Sequence, residues 1–382
     1  MVNKFADYML GEDLCDVRDL ARKFADEKVK PVAREIDHDE RFPLEEIRQL
    51  GDLGLLGTII PEEFGGSDLG HLANAIIMEE ISRHSPTLGM CVDAHTSLGM
   101  VPVLIAGTDK QKEEILRPAV TGRKILAFGL TEAESGSDAN TVSTMAVLDG
   151  DEWVINGSKS WIKNAGPADY YIVCCKTASK GITAIIVPKG TPGFEIGKPE
   201  QKLCMKGSST AQLFFSDCRV PKENLLGEEG KGIHYFMQGL DAGRIAFSSV
   251  ALGLAQGALE RAAAYAKERK AFGHVITDFQ GVSFRLAEME AQVQVARTIL
   301  YNVAKMADSG QRYTTEAAIC KLTCSEMCQD VSRKAIQIMG GNGTHEEYDV
   351  ERLYRDAMLT TIGEGTSEIG KLIISRDVLK KY

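Results

Sequence analysis

The chain has 382 residues, 44% hydrophobic and 26% charged, a composition that supports two or three substantial cores and argues against disorder. Its formal net charge of -10 disfavours non-specific nucleic-acid binding, although a local basic pocket could still take an anionic small ligand. The N-terminus turns acidic before an apolar run forms, and no stretch approaches the ~18 consecutive apolar residues of a membrane span; a cytoplasmic protein with no membrane partner is expected.

Residues 1–124 carry helical periodicity. Leu14, Val17, Leu20, Ala21 and Phe24 recur at i, i+3, i+4 spacing, Pro31 and Pro43 punctuate, and Pro61 to Gly66 reads as a loop. Further helical runs cover Leu72 to Ile81 and surround Thr96 to Ala106. From residue 125 the period changes. Tyr170 to Cys175, Thr183 to Pro188 and Gln212 to Phe215 predict short strands, and Leu148 to Trp153 predicts a hairpin with Asp-Gly at its tip. Short strands at this spacing suggest a compact barrel or sandwich over 125–228. Helical patterning returns over 229–382, with Ala246 to Lys267, Phe284 to Met306 and Thr315 to Met339 as long amphipathic runs, and an antiparallel bundle is the expected solution. Nine cysteines with no secretory context point to reduced thiols. Cys320, Cys324 and Cys328 share an apolar stripe with Ala317, Met327, Val331, Ala335 and Ile338, so a core role is expected for them and no metal site.

Three segments carry possible chemistry. Ile362-Gly363-Glu364-Gly365-Thr366-Ser367-Glu368 places a carboxylate between glycines. That arrangement suits a general base approached closely by a substrate, or more simply an acidic residue at a capped helix start. Phe128 to Asp138 combines hydroxyls, glycines and exposed backbone that could meet a polar heterocycle or a phosphate; a plain surface loop has the same composition. Lys159 to Ala165 sets Trp161 among polar groups, either to cover an aromatic cofactor or to fill a core.

These segments, together with Leu240-Asp241-Ala242-Gly243-Arg244, Glu268 to Gly273 and Gln337 to Gly343, occur in an order that resembles the acyl-CoA dehydrogenase family of flavoproteins. The resemblance runs from the N-terminal helices to about Val378. It implies an α+β fold of an α-helical N-terminal domain, a β-barrel middle domain and a C-terminal four-helix bundle. It also implies FAD as cofactor, an acyl-CoA substrate, electron-transferring flavoprotein as redox partner and a homotetramer. By resemblance, Phe128, Leu130, Thr131 and Ser137 line the flavin and the CoA ester, and Trp161, Ile162 and Lys163 lie against the flavin ring. Arg269, Gln280, Gln337 and Gly341 would hold the pyrophosphate and adenosine of a neighbouring subunit's FAD. Asp241 and Arg244 would meet the CoA arm, Gly365 would leave room for the thioester, and Thr366 and Glu368 would close over FAD. Glu364 would be the base that removes the α-proton. Some branches carry that base at the position of Gly243, a variant that glycine excludes. An enoyl-CoA reductase, an oxygen-using oxidase and a DNA-associated member of the same fold are the competing readings, the last disfavoured by the acidic charge.

Three positions depart from the family pattern. Gly363 replaces a common tyrosine, which either widens the acyl pocket for a branched, cyclic or aromatic group or is offset by bulk elsewhere. Lys163 replaces a threonine or serine and either tunes the flavin or points to solvent. Asp93 lies in Gly89 to Thr96, which lines the far end of the acyl pocket in relatives. It is reminiscent of the cyclohexene-carbonyl-CoA branch, but that branch lacks the usual glutamate that this chain keeps at Glu364, and an ordinary hydrogen-bonded helix aspartate is the favoured reading. Thr87-Leu88-Gly89-Met90 offers no arginine for a dicarboxylic substrate.

Overall fold

The computed structural model describes residues 8–177 and 181–382, and its first third is helical. Helix α1 (Glu12–Phe24) has acidic residues in its first turn and Arg22 and Lys23 in its last, matching the helix dipole. It turns Ala21 and Phe24 inward, whereas Leu20 from the same predicted stripe is 39% exposed. Helices α2 (Ala33–His38) and α3 (Leu44–Asp52) lead to α4 (Gly70–Ser82) and α5 (Pro86–Ala106). By length and composition α5 could cross a membrane, but 89% of its most apolar window is buried inside the protein, as befits a helix packed on all sides. Ser85 caps it by accepting from the Leu88 N–H, and a π turn at Thr96–Met100 interrupts it. Helix α6 (Asp109–Ala119) opens on a Thr108/Gln111 capping box.

The middle third forms an eight-stranded sheet: β1 (Leu126–Gly129), β2 (Met145–Asp149), β3 (Glu152–Lys163), β4 (Tyr170–Thr177), β5 (Gly181–Pro188), β6 (Phe194–Ile196), β7 (Thr210–Pro221) and β8 (Leu225–Leu226). The order is β6-β7-β3-β2-β4-β5-β8, with β1 parallel to β4. Gly150, at φ 64°, turns the β2–β3 hairpin where Asp-Gly predicts it. The β3–β7 pairing is interrupted between Lys159 and Ile162. This bulge turns the Trp161 ring out of the sheet, with the backbone at φ 59°.

In the last third, α7 (Gly232–Glu268), α8 (Gln280–Asp308) and α9 (Thr314–Met339) run long, and a glycine-flanked turn at residue 364 divides the remaining helical stretch into α10 (Val350–Thr360) and α11 (Ser367–Lys381). The α9 cysteines are wholly buried on the predicted apolar stripe. His95 ties α5 to the sheet: its Nε2–H donates to the Ala119 carbonyl at 3.0 Å, and its Nδ1 accepts from the Leu126 N–H at 3.2 Å. Asn164, just after β3, donates from Nδ2 to the Cys91 carbonyl at 3.0 Å. These bonds bring the centre of α5 and the end of β3 to the same place.

Candidate active site

Sheet, helical domain and bundle enclose a cavity of about 660 Å³. The sheet side supplies Phe128, Leu130, Thr131 and Ser137, and the β3 bulge supplies Trp161, Ile162 and Lys163. Arg244 enters from α7, and Gly363 to Thr366 enter from the turn between α10 and α11. The cavity therefore gathers residues that the sequence singled out in separate motifs. It also takes in the loop Gln201 to Met205, which no sequence signal marks. That loop is fixed from behind by the Met205 N–H donating to Asp356 at 2.5 Å.

Glu364 sits on the inner wall. Its backbone is left-handed at φ 58°, uncommon for a residue with a side chain, and its side chain is only 2% exposed. Both carboxylate oxygens lack a hydrogen-bond partner. Next to it, Lys321 of α9 donates from Nζ to the Gly365 carbonyl at 2.7 Å, which locks the unusual turn. Burial lowers the Lys321 ammonium to about 8, against the opposing pull of Glu364. Sequence reasoning passed over Lys321, although it stands four residues after Ala317 on an otherwise apolar helix face. Gly243 on α7 supplies the space: a Cβ there would lie 2.5 Å from Glu364 Oε2 and 2.8 Å from Leu98 Cδ2.

Lys163 turns inward and not to solvent. Its Nζ lies 3.7 Å from Glu364 Oε1 and 5.4 Å from the centre of the Phe247 ring, with Lys321 Nζ at 5.9 Å from the same ring. Phe247 also lies against Gly363. A Cβ on Gly363 would meet that ring at 3.1 Å, so Phe247 stands against the position where a side chain would begin.

Asp93 corrects an expectation. It is fully buried, its two oxygens have no hydrogen-bond partner, and it is absent from the cavity lining formed by its neighbours Ala94 and Leu98. Instead it abuts Glu364. Burial, and then the charge of Glu364, push its carboxyl well above the ordinary range. Its polar neighbours are the Glu364 carboxylate and the Ser97 hydroxyl, side chains and not the backbone of its own helix.

On α7, Arg244 pairs with Asp241 at 2.5 Å, and Thr314 Oγ1 donates to the other Asp241 oxygen at 2.7 Å. Thr366 caps α11 by accepting from the Ile369 N–H. Glu368, one turn along, is exposed. Arg269, Gln280, Gln337 and Gly341 are not brought to this cavity. They lie exposed at one end of the bundle, where the C-termini of α7 and α9 meet the start of α8.

The cavity fits a flat aromatic cofactor. Trp161 is 62% exposed at its rim on a strained backbone, a surface that a planar ring would cover, and the Thr131 and Ser137 side chains offer hydroxyls beside apolar walls. A buried carboxylate, Glu364, faces the same space, which places an ionisable group beside the surface suited to a planar ring.

The comparisons agree. Family descriptions for the acyl-CoA dehydrogenase N-terminal, middle and C-terminal domains match residues 11–123, 127–218 and 230–379 in turn. The chain is 44% identical over 378 residues to the short-chain specific acyl-CoA dehydrogenase of Clostridium acetobutylicum, covering 98% of this chain and 100% of that one. It is 41% identical to acryloyl-CoA reductase (NADH) of Anaerotignum propionicum, covering 99% and 97%. The structure of butyryl-CoA dehydrogenase from Megasphaera elsdenii superimposes with a TM-score of 0.95 at 40% identity, covering 97% and 99%. The chain belongs to the acyl-CoA dehydrogenase family, an FAD-dependent oxidoreductase acting on acyl-CoA.

Proposed function

We propose that the enzyme dehydrogenates a short, straight-chain acyl-CoA across its α and β carbons, with Glu364 as the base and electron-transferring flavoprotein as the electron acceptor. The observation that carries this reading is the Glu364 carboxylate, held in a left-handed turn against the cavity with no hydrogen-bond donor on its oxygens. The fixed turn aims the carboxylate into the cavity, where a general base must stand. The Glu364 N–H has no backbone partner among the described residues and would donate to the thioester oxygen as enolate charge develops. FAD, when bound, supplies the acceptor for the β-hydride. Phe128, Leu130, Thr131, Ser137, Trp161, Ile162 and Lys163 would hold its ring and the ester, while Arg244, steadied by Asp241, would meet the CoA arm. Arg269, Gln280, Gln337 and Gly341 would take the pyrophosphate and adenosine of FAD in a neighbouring subunit of a tetramer.

The acyl group is read as short and straight because the Phe247 ring occupies the space left at Gly363. Relatives named for short-chain and butyryl substrates support the same choice. A panel of butyryl-, hexanoyl-, isobutyryl- and cyclohexanecarbonyl-CoA tests it. The highest kcat/KM is expected on butyryl- or hexanoyl-CoA, and a ring substrate ahead of both would overturn the short-chain assignment.

A further inference from the structure

We propose that Asp93 and Glu364 share one proton beneath the cavity, with Asp93 as the carboxylic acid donating to the Glu364 carboxylate. Asp93 is then a positioning residue for the base, an inference that rests on the reading of Glu364 above. The geometry carries it. The two side chains meet, both are buried, none of their four oxygens makes a hydrogen bond of full geometry, and the Ser97 hydroxyl beside Asp93 is a neutral donor. Two carboxylates in this arrangement would be like charges in contact away from water, with nothing between them but acceptors. A single shared proton turns the repulsion into a charge-assisted O–H···O⁻ bond.

The surrounding groups favour one negative charge on the pair, placed on Glu364. From β3, Lys163 Nζ stands 3.7 Å from Glu364 Oε1, near enough to attract and too far to hydrogen-bond. From α9, Lys321 gives its hydrogen bond to the Gly365 carbonyl. From α7, Arg244 is paired with Asp241. Ser97, one turn beyond Asp93 on α5, turns its hydroxyl to Asp93, which opposes the effect of burial more weakly than burial acts, and adds no charge. Asp93, the more enclosed of the two, keeps the proton, and burial and the Glu364 charge both push its acid form in that direction. On turnover the α C–H bond breaks and an O–H bond forms on Glu364. The pair then passes from one proton to two and becomes neutral.

Infrared difference spectroscopy on the FAD-loaded enzyme without substrate provides a readout independent of turnover. It is run above pH 7, because Asp356, another deeply buried carboxyl, is pushed up to about 7. The wild-type minus Asp93→Asn spectrum should contain a protonated-carboxyl C=O band that shifts in deuterium oxide. The acid limb of kcat against pH gives the second readout. Asp93→Asn keeps an N–H donor in place of the O–H, so its limb should stay near wild type. Asp93→Ala loses the donor and leaves Glu364 buried without one, so its limb should move up by about one pH unit or more. If both carboxyls are instead ionised, there is no acid band and both substitutions move the limb down by relieving repulsion; either result overturns the proposal. Should Asp93→Asn not fold, Asp356→Asn removes the competing acid from an otherwise wild-type enzyme. A protonated-carboxyl band there upholds the shared proton, and its absence overturns it.

Discussion

At the residue scale, the base is set by what surrounds it more than by its own identity. Glu364 occupies a left-handed turn that ordinarily suits glycine, and two neighbours make this tolerable: Gly365, at φ 97°, continues the turn and Lys321 fastens its carbonyl. The glycines flanking residue 364 were legible in the sequence because a close approach needs small neighbours. Phe247 was not, because it fills the space beside Gly363 from a helix more than a hundred residues away, and no local pattern announces a distant ring. A swap follows. Gly363→Tyr alone should overpack against Phe247 and destabilise the fold by roughly 1–3 kcal/mol. Adding Phe247→Ala should recover most of that loss, so the two changes will be strongly non-additive in urea unfolding. Additive losses would mean that the ring and the residue 363 side chain do not compete for the same space.

At the element scale, α5 links the helical domain to the sheet, and its buried polar groups make the link sensitive to acid. The sequence shows that this helix is apolar, but it cannot show that His95 reaches both the Ala119 carbonyl and the Leu126 N–H, since those partners come from separate segments. Burial lowers His95 from 6.5 to about 4, against the pull of the Ala119 hydrogen bond. In that window the unfolded chain takes up the proton first. The contribution of His95 is therefore complete above about pH 6.5 and is lost as pH falls toward 4, on the order of 3 kcal/mol in all. His95→Gln retains one donor and one acceptor without titrating, so its Tm should fall less than that of wild type between neutral pH and about pH 5. An equal fall in both proteins would move the acid sensitivity to other groups. The π turn at Thr96–Met100 and the β3 bulge were equally hidden, because each depends on packing or pairing register and not on composition.

At the scale of the whole molecule, the order of helices, sheet and helices was readable from the change in hydrophobic period, and the structure places these parts around one cavity. What the period could not show is that the predicted cofactor residues fall into two groups, one lining the cavity and one exposed at the far end of the bundle. If Arg269 binds the FAD pyrophosphate across a subunit interface, Arg269→Ala should weaken FAD retention by about ten- to hundredfold and lower the oligomeric mass together. Full flavin content at unchanged mass would dismiss that role. The central claim is that Glu364 removes the α-proton, and anaerobic mixing of the FAD-loaded enzyme with butyryl-CoA tests it most directly. The wild type should bleach its flavin absorbance rapidly, while Glu364→Gln, with FAD and thioester still bound, should do so about 10²–10⁴-fold more slowly. Bleaching of the Glu364→Gln enzyme at the wild-type rate would contradict the account.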